Sequence, residues 1–296
     1  MTEKDVNRRI NKIYKESKSK INSLRFYRDF SEGYRYSIGI RDADADFISV
    51  SPPGSNLERL LRAKHHHSLS YDIERTIESS IMSLMLYGKA YIYIDSQYIT
   101  IDKEDGSHNK ILSSLQIGEI KGIITSLNSS EVEFWGFGPV GNIRKNVYPR
   151  SGFIEMSLKD VGYSKTYFNK ISAKLDKYDV TASTLIYGGT DSYDFNEHMK
   201  RNTIKELKLT RKLGWISSSD SLSESQYLYR KITQAKFKLA MTKYVLESIN
   251  KGIRSIDGVD SDEIVLANYY KIDYDEVWSK YVRGELTVSK LATMIH

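Results

Sequence analysis

Residues 70–94, SYDIERTIESSIMSLMLYGKAYIYI, contain the change of pattern that decides the fold. Apolar residues at near-helical spacing follow Ser70, and two acids fall in the first turn, where carboxylates suit the helix dipole. Gly88 then ends the helix, and residues 90–94 form a β-rich run with few polar residues, as in a buried strand. The stretch therefore predicts a helix capped by Ser70, a glycine stop and a buried strand.

The sequence on either side of this stretch predicts helix before it and sheet after it. Residues 3–27 carry apolar residues at near-helical spacing, and a short helix is expected at 57–64. Residues 34–50 alternate imperfectly and end at Pro52-Pro53-Gly54, which indicates strand and loop closed by a breaker. Residues 97–158 contain short β segments separated by turn signals, which indicate a mostly antiparallel sheet.

The carboxyl-terminal half is predicted to be helical. Helices are expected at 166–177, 196–213, 223–250, 275–282 and 287–295. The change from β to α makes the fold class α+β and predicts three consecutive regions. These are an α+β region at 1–160, a helical region at 161–255 and a short helical module at 256–296.

Composition limits the classes of protein that this chain can belong to. With 296 residues and 40% apolar composition, the chain can bury a core, and the absence of cysteine excludes disulfides and thiolate chemistry. The first residues are charged where a signal peptide needs an apolar core, and no window approaches about 20 apolar residues. We therefore expect a protein of the reducing cytoplasm without a membrane segment. The net charge of +6 is a mild excess of 44 bases over 38 acids.

Two motifs suggest metal binding, and each also has a structural interpretation. The residues of His65-His66-His67 are consecutive, so their side chains point in different directions, and a solvated helix end is the simpler interpretation. Asp42, Asp44 and Asp46 alternate along one strand face and could bind a divalent cation through oxygen ligands. An exposed strand edge that carries charge against aggregation is the alternative.

Other polar clusters have structural interpretations. A second acidic group is explained by a helix-capping loop and comprises Asp257, Asp260, Asp262 and Glu263. The glycine-rich stretches 136–141 and 188–189 lack the sequence context of a phosphate-binding loop or a dinucleotide site. We therefore expect no cofactor, no metal and no catalytic residue.

Basic residues crowd two of the predicted helices. The first set, which gives the candidate DNA contacts, is Lys200, Arg201, Lys205, Lys208, Arg211 and Lys212. The second set is Arg230, Lys231, Lys236, Lys238 and Lys243. Such side chains could follow a phosphate backbone without reading bases. A solvated helix face with mixed ion pairing is the alternative.

The motif Leu86-Tyr87-Gly88-Lys89-Ala90-Tyr91-Ile92 resembles the wing segment of tailed-phage portal proteins. The apolar helix at 73–87 and the sequence Leu57-Glu58-Arg59-Leu60-Leu61 precede it, as in that family. The order of β region and then long helices is also similar, over about residues 55–255. The resemblance implies that 1–160 is wing-like and that 161–255 is stem-like and clip-like. A shortened carboxyl-terminal crown would account for the length.

The resemblance further implies a non-enzymatic subunit of a closed ring, commonly of twelve copies, at one capsid vertex of a virion assembled in the host bacterial cytoplasm. The ring would pass double-stranded DNA during packaging and ejection. Its other partners would be the terminase, the capsid protein and the neck or adaptor proteins.

Long helices packed side by side would close such a ring. In the helix predicted at 223–250, apolar residues recur at alternating steps of four and three, the spacing of a heptad seam. The candidate subunit-packing residues in this seam are Leu228, Ile232, Ala235, Leu239, Leu246 and Ile249.

Two other functions remain open at this point. The first is a nucleic-acid-binding accessory protein that uses the basic helices without catalysis. The second is an enzyme whose dispersed acids assemble a metal site.

Overall fold

The computed structural model describes residues 2–14, 21–32, 46–64, 68–102, 108–137, 143–185, 195–217, 222–268 and 272–295. The fold is α+β, as predicted. Helices in this part of the chain are α1 (Glu3–Tyr14), α2 (Ile21–Ser31), α3 (Asn56–Arg62), α4 (Leu69–Tyr87), α5 (Lys165–Leu185), α6 (Phe195–Leu209), α7 (Glu224–Ile253), α8 (Tyr274–Val282) and α9 (Val288–Ile295). Strands are β1 (Ile48–Ser51), β2 (Lys89–Asp102), β3 (His108–Ile120), β4 (Gly122–Leu127), β5 (Glu131–Phe137), β6 (Ile143–Pro149), β7 (Phe153–Ser157) and β8 (Ile264–Ala267).

The chain divides into two compact units, each assembled from three segments. The sheet unit comprises Met1–Lys15, Asp44–Gly162 and Thr242–Asn268. The helical unit comprises Glu16–Ala43, Tyr163–Met241 and Tyr269–His296. This division differs from the consecutive regions 1–160, 161–255 and 256–296. The physical reason is that β8 pairs with β1, which returns a late segment of the chain to the first unit.

The predicted succession of helix, glycine and strand is confirmed in the sheet unit. Gly88 has φ +80°, its N–H donates to the carbonyl of Leu84 at 2.9 Å, and β2 follows directly. The helix starts two residues before the predicted position, with Ser68 at its N-cap. Ser70 does not cap the helix, because its hydroxyl is buried and accepts a hydrogen bond from the N–H of Ile48 at 2.9 Å.

Antiparallel pairing is also confirmed for the predicted β region. The sheets have the strand orders β3-β2-β7, β4-β5-β6 and β1-β8, and every described strand pair is antiparallel. A predicted continuous segment at 111–124 is divided between β3 and β4. Strands β6 and β8 were not predicted: β6 is mostly polar and exposed, and β8 has only four residues.

Aromatic side chains and one close helix contact form the core of the sheet unit. The Tyr91 and Phe134 rings lie 5.4 Å apart in an edge-to-face arrangement, and the Phe134 and Phe153 rings lie 5.7 Å apart. The last turns of α7 pack against β7 at Gly252. A Cβ atom there would lie 2.5 Å from Cδ1 of Ile154, so a larger residue would have to displace the Ile154 side chain.

Glu263 connects the loop before β8 to the start of α3. Its buried carboxylate accepts hydrogen bonds from the N–H groups of Asn56 at 2.9 Å and Leu57 at 2.8 Å. These N–H groups lie in the first turn of a helix, where a negative charge is favourable. The helix-capping interpretation of the second acidic cluster is therefore confirmed for this residue.

The helical unit is built around clustered aromatic rings. Phe26 of α2 contacts Phe30 and Trp215 edge to face at 5.2 and 5.5 Å. The Trp215 indole N–H donates to the carboxylate of Asp29 at 2.8 Å. The helix predicted at 3–27 is described as α1 and α2, which belong to different units, and residues 15–20 between them lie outside the described residues.

Candidate nucleic-acid interface

Helix α6 and the turn after it display the first set of basic residues. All six of the predicted DNA contacts are exposed: Lys200, Arg201, Lys205, Lys208, Arg211 and Lys212. At 3.6 residues per turn, the four that lie within α6 fall inside an arc of about 140°. The other side of the helix buries Asn202, Glu206 and Leu207. The structure therefore gathers four of the predicted cations on the solvent face of α6 and leaves Arg211 and Lys212 exposed in the turn after it.

Ion pairing leaves most of this basic face uncompensated. Arg201 pairs with Glu197 one turn earlier, and both side chains are more than half exposed. The ammonium group of Lys205 lies 5.9 Å from the centre of the Tyr178 ring, at cation–π distance. None of the other four has a carboxylate partner within the described ranges. A surface with four such cations attracts polyanions.

A buried arginine fixes the end of α6. Arg230 of α7 is only 8% exposed, and its guanidinium donates to the carbonyl of Trp215 at 3.1 Å and to the carbonyl of Leu207. Burial, together with the positive charge of Arg211, lowers the pKa of Arg230. The turn that carries Arg211 is thus held against the start of α7.

The second set of basic residues has mainly structural roles. Lys236 donates to the carboxylate of Asp275 at 2.6 and 2.7 Å, and the buried Lys238 donates to a backbone carbonyl of residue 32 at 3.0 Å. Lys231 lies 5.5 Å from the centre of the Tyr227 ring. Since Arg230 is also buried, the structure does not bring this set together as a basic surface.

The predicted subunit-packing residues lie inside the chain's own core. Five are buried and Leu239 is partly buried: the set is Leu228, Ile232, Ala235, Leu239, Leu246 and Ile249. The first three form a cluster with residues of α8 and α9, namely Tyr274, Val277 and Leu291. The heptad spacing is therefore satisfied within one polypeptide, and this corrects the assignment of the seam to a neighbouring subunit.

A pocket of about 670 Å³ lies beside the basic face and was not predicted from the sequence. Arg211 and Arg230 line one part of it, and Tyr229, Trp278 and Tyr281 line another. These residues come from the turn after α6, from α7 and from α8. The only signal in the sequence is the density of aromatic residues, which does not show which of them meet.

The sheet unit has a groove of about 740 Å³, in which Tyr244 and Glu155 have structural partners. The Tyr244 hydroxyl donates to Asp160 at 2.6 Å and accepts from the N–H of Ser157 at 2.9 Å. Burial and the hydrogen bond to Asp160 raise the pKa of Tyr244 to about 12. The phenol therefore stays protonated near neutral pH. Glu155, which also lines the groove, pairs with Lys89.

Within the described ranges, no group of three or more His, Asp or Glu side chains is arranged to hold a metal ion. The motif at 65–67 and the residues Asp42 and Asp44 lie outside those ranges, and Asp46 is exposed. The glycine-rich stretch 188–189 and most of 136–141 also lie outside them. Asp257, Asp260 and Asp262 are exposed.

None of the described helices is both long and apolar enough to cross a bilayer. Comparison with known proteins adds no assignment to the geometry of the interface. No protein-family model matches the chain, and no curated protein matches it in sequence.

Proposed function

We propose that the chain is a non-catalytic structural protein that contacts DNA through α6, as a subunit of a portal-like ring. The observation that carries the DNA contact is the basic face, where four of the predicted cations share one exposed side of α6 and the other two are exposed in the turn after it. Such contacts neutralise phosphates and release counterions, and they do not depend on base sequence. DNA that moves past a protein requires this kind of contact, because base-specific bonds would hold it in one register.

The portal part of the proposal rests on the motif at 86–92 and its structural setting. Helix α4, the left-handed Gly88 and strand β2 follow one another as the resemblance to the portal wing implies. The long helix α7, with 30 residues, agrees with the stem-like element of the same plan. The partners expected of such a ring are further copies of the chain, duplex DNA, terminase, and capsid and neck proteins.

Contacts between copies would have to use surfaces other than the α7 seam. Exposed apolar residues remain at the far end of the β2–β3 hairpin, where Ile99 pairs with Ile111 and Ile101 lies on the same face. A cluster of exposed isoleucines is the kind of surface that becomes buried between subunits.

A second candidate is an accessory protein that binds nucleic acid without forming a ring. The burial of the α7 seam favours it, since the polypeptide covers with its own helices the apolar stripe that was assigned to a neighbour. Both candidates use the same basic face, so they differ in assembly and agree on the DNA contact.

Assembly and DNA binding can be measured on the same purified chain. Light scattering and negative-stain images show whether rings form, and fluorescence anisotropy with labelled duplex DNA at rising salt measures binding. The double variant Lys200→Glu/Lys208→Glu should weaken binding. It should also lower the slope of log affinity against log salt by about 0.9 for each phosphate that the protein no longer neutralises. The control Lys12→Glu/Lys159→Glu changes two exposed lysines of the sheet unit by the same charge.

The outcomes distinguish the two candidate functions and include one that contradicts both. Rings that bind duplex DNA through α6 support the portal-like subunit, and a monomer that binds in the same way supports the accessory protein. A monomer whose affinity is unchanged in the α6 variant contradicts both.

A further inference from the structure

The pocket beside α6 has two chemically different walls within the helical unit. Its volume of about 670 Å³ lies in the range of sites that hold small molecules. One part of the lining is aromatic and another part consists of two arginines, the exposed Arg211 and the buried Arg230. Among the described lining residues there is no carboxylate. A ligand that matches both walls has a flat apolar part and a negative charge.

The aromatic wall is a row of tilted rings, with interplanar angles of 55° between Tyr229 and Trp278 and 39° between Trp278 and Tyr281. The rings of Tyr229 and Trp278 lie 5.0 Å apart, and those of Trp278 and Tyr281 lie 5.1 Å apart. Trp278 and Tyr281 also pack on the α7–α9 core, which is their structural role. Tyr229 is different, because it is 44% exposed and core packing does not account for its position. Such a wall offers a platform for a planar base.

The arginine wall carries positive charge that no described acid balances. Arg230 is held by backbone carbonyls, and Arg211 is exposed beside it without a carboxylate partner in the described part of the chain. Two nearby guanidiniums repel each other, and an anion between them or in front of them would remove that repulsion. The first turn of α7, through Ser225 and Gln226, lines the same pocket and adds the positive end of a long helix dipole.

We propose that this pocket binds a nucleotide unit, with the base stacked on the exposed ring of Tyr229 and in contact with the edge of Trp278, and with the phosphate on Arg211. The nucleotide can be a free mononucleotide or one residue of a single strand, since both offer the same base and phosphate. A duplex cannot enter, because its bases are already stacked and paired. Arg211 also belongs to the basic face of α6, so a strand whose phosphates follow that face reaches the pocket. The proposal shares this one residue with the proposed DNA contact and otherwise rests on the pocket.

Tryptophan fluorescence of the full chain provides a direct test. Of the three tryptophans, Trp215 is buried and only Trp278 lines this pocket, so a stacked base should quench Trp278. We expect quenching by adenosine 5′-monophosphate and by a short single-stranded oligonucleotide. Adenosine alone and inorganic phosphate alone should bind more weakly, because each satisfies one wall. The matched duplex should not quench.

Variants test the two walls separately. Tyr229→Ala should weaken binding by about 5- to 150-fold, the usual loss for one stacking contact. Arg211→Gln, at an exposed position, should weaken the binding of the monophosphate and leave the binding of adenosine unchanged. Trp278→Phe should abolish the quench and leave affinity, measured by anisotropy, within about threefold, because an aromatic ring is still present. Tyr98→Ala is the matched control, since Tyr98 is also 44% exposed but lies on β2.

Three results would overturn the proposal: no quenching by any nucleotide, equal quenching by the duplex, or unchanged affinity in a folded Tyr229→Ala variant. If the monophosphate quenches and the oligonucleotide does not, the pocket binds free nucleotides. If the oligonucleotide quenches and the monophosphate does not, the pocket binds a single strand. Lys200→Glu/Lys208→Glu should weaken duplex binding without changing the quench by the monophosphate. This pair of measurements distinguishes an incorrect assignment of the DNA contact on α6 from an incorrect assignment of the nucleotide pocket.

Discussion

Replacing Glu263 by glutamine should destabilise the sheet unit, because one buried carboxylate satisfies two N–H groups at the start of α3. The acceptor distances are 2.9 and 2.8 Å, and the residue is 6% exposed, so solvent screens the interaction little. Glutamine has the same shape but only one acceptor oxygen, so its amide group must face one of the two N–H donors.

The expected loss follows from the bonds that are changed. A hydrogen bond to a charged group contributes about 1.5–3 kcal/mol, and an anion at a helix N-terminus about 0.3–1 kcal/mol. Removing one bond and the charge gives an expected decrease of about 2–4 kcal/mol in the free energy of unfolding. Urea unfolding followed by circular dichroism at neutral pH measures it.

Asp262→Asn is the matched control, because Asp262 is the exposed neighbour and undergoes the same chemical change. It should alter the free energy of unfolding by less than about 0.5 kcal/mol. If Glu263→Gln is equally mild, the capping argument is refuted. A loss of the same size in both variants would point to the charge of the loop in place of the hydrogen bonds.

Three further changes test other contacts. Gly252→Ala should lower the free energy of unfolding by about 1–3 kcal/mol, because the added Cβ clashes with Ile154. Thermal unfolding measures this change. Gly118→Ala is the control, since a Cβ added there has no heavy atom within 4 Å. Burial raises the pKa of Glu119 in the folded protein. The contribution of Glu119 to the free energy of unfolding is therefore fully present below the pKa that it has in the unfolded chain, and it is lost as the pH rises through the pKa that it has in the folded chain. Urea unfolding should therefore find Glu119→Gln more stable than the unchanged chain at mildly alkaline pH and equal to it in acid. Arg230→Met leaves two backbone carbonyls without their charged donor and should cost about 3 kcal/mol in urea unfolding.

Local signals in the sequence predicted individual elements better than their assembly. The end of α4 at Gly88 and the start of α7 at Ser223 depend on residues within one or two turns, and both were predicted. The division into units depends on pairing between Ile48 and Ala267, which lie far apart in sequence, and β8 has only four residues. Nothing in so short a segment indicates its partner, so the predicted boundary near residue 160 rested on the change from β to α pattern alone.

The same limit applies to the candidate interface. The period of α6 is enough to place Lys200 and Lys208 on one face, because a helix fixes the direction of each side chain. Heptad spacing in α7 correctly indicated a buried apolar stripe. The spacing alone does not show whether that stripe is covered by another chain or by α8 and α9. The pocket joins Arg211 to Trp278, a separation that only the tertiary fold can bridge.

The interleaving of the two units has a consequence for biosynthesis. A nascent polypeptide emerges from the ribosome in order, so β1 and the first turn of α3 appear more than two hundred residues before their partners β8 and Glu263. Until then, the edge of β1 and two N–H groups are open to incorrect pairing with other chains. The sheet unit can therefore complete its folding only after β8 and Glu263 have been synthesised.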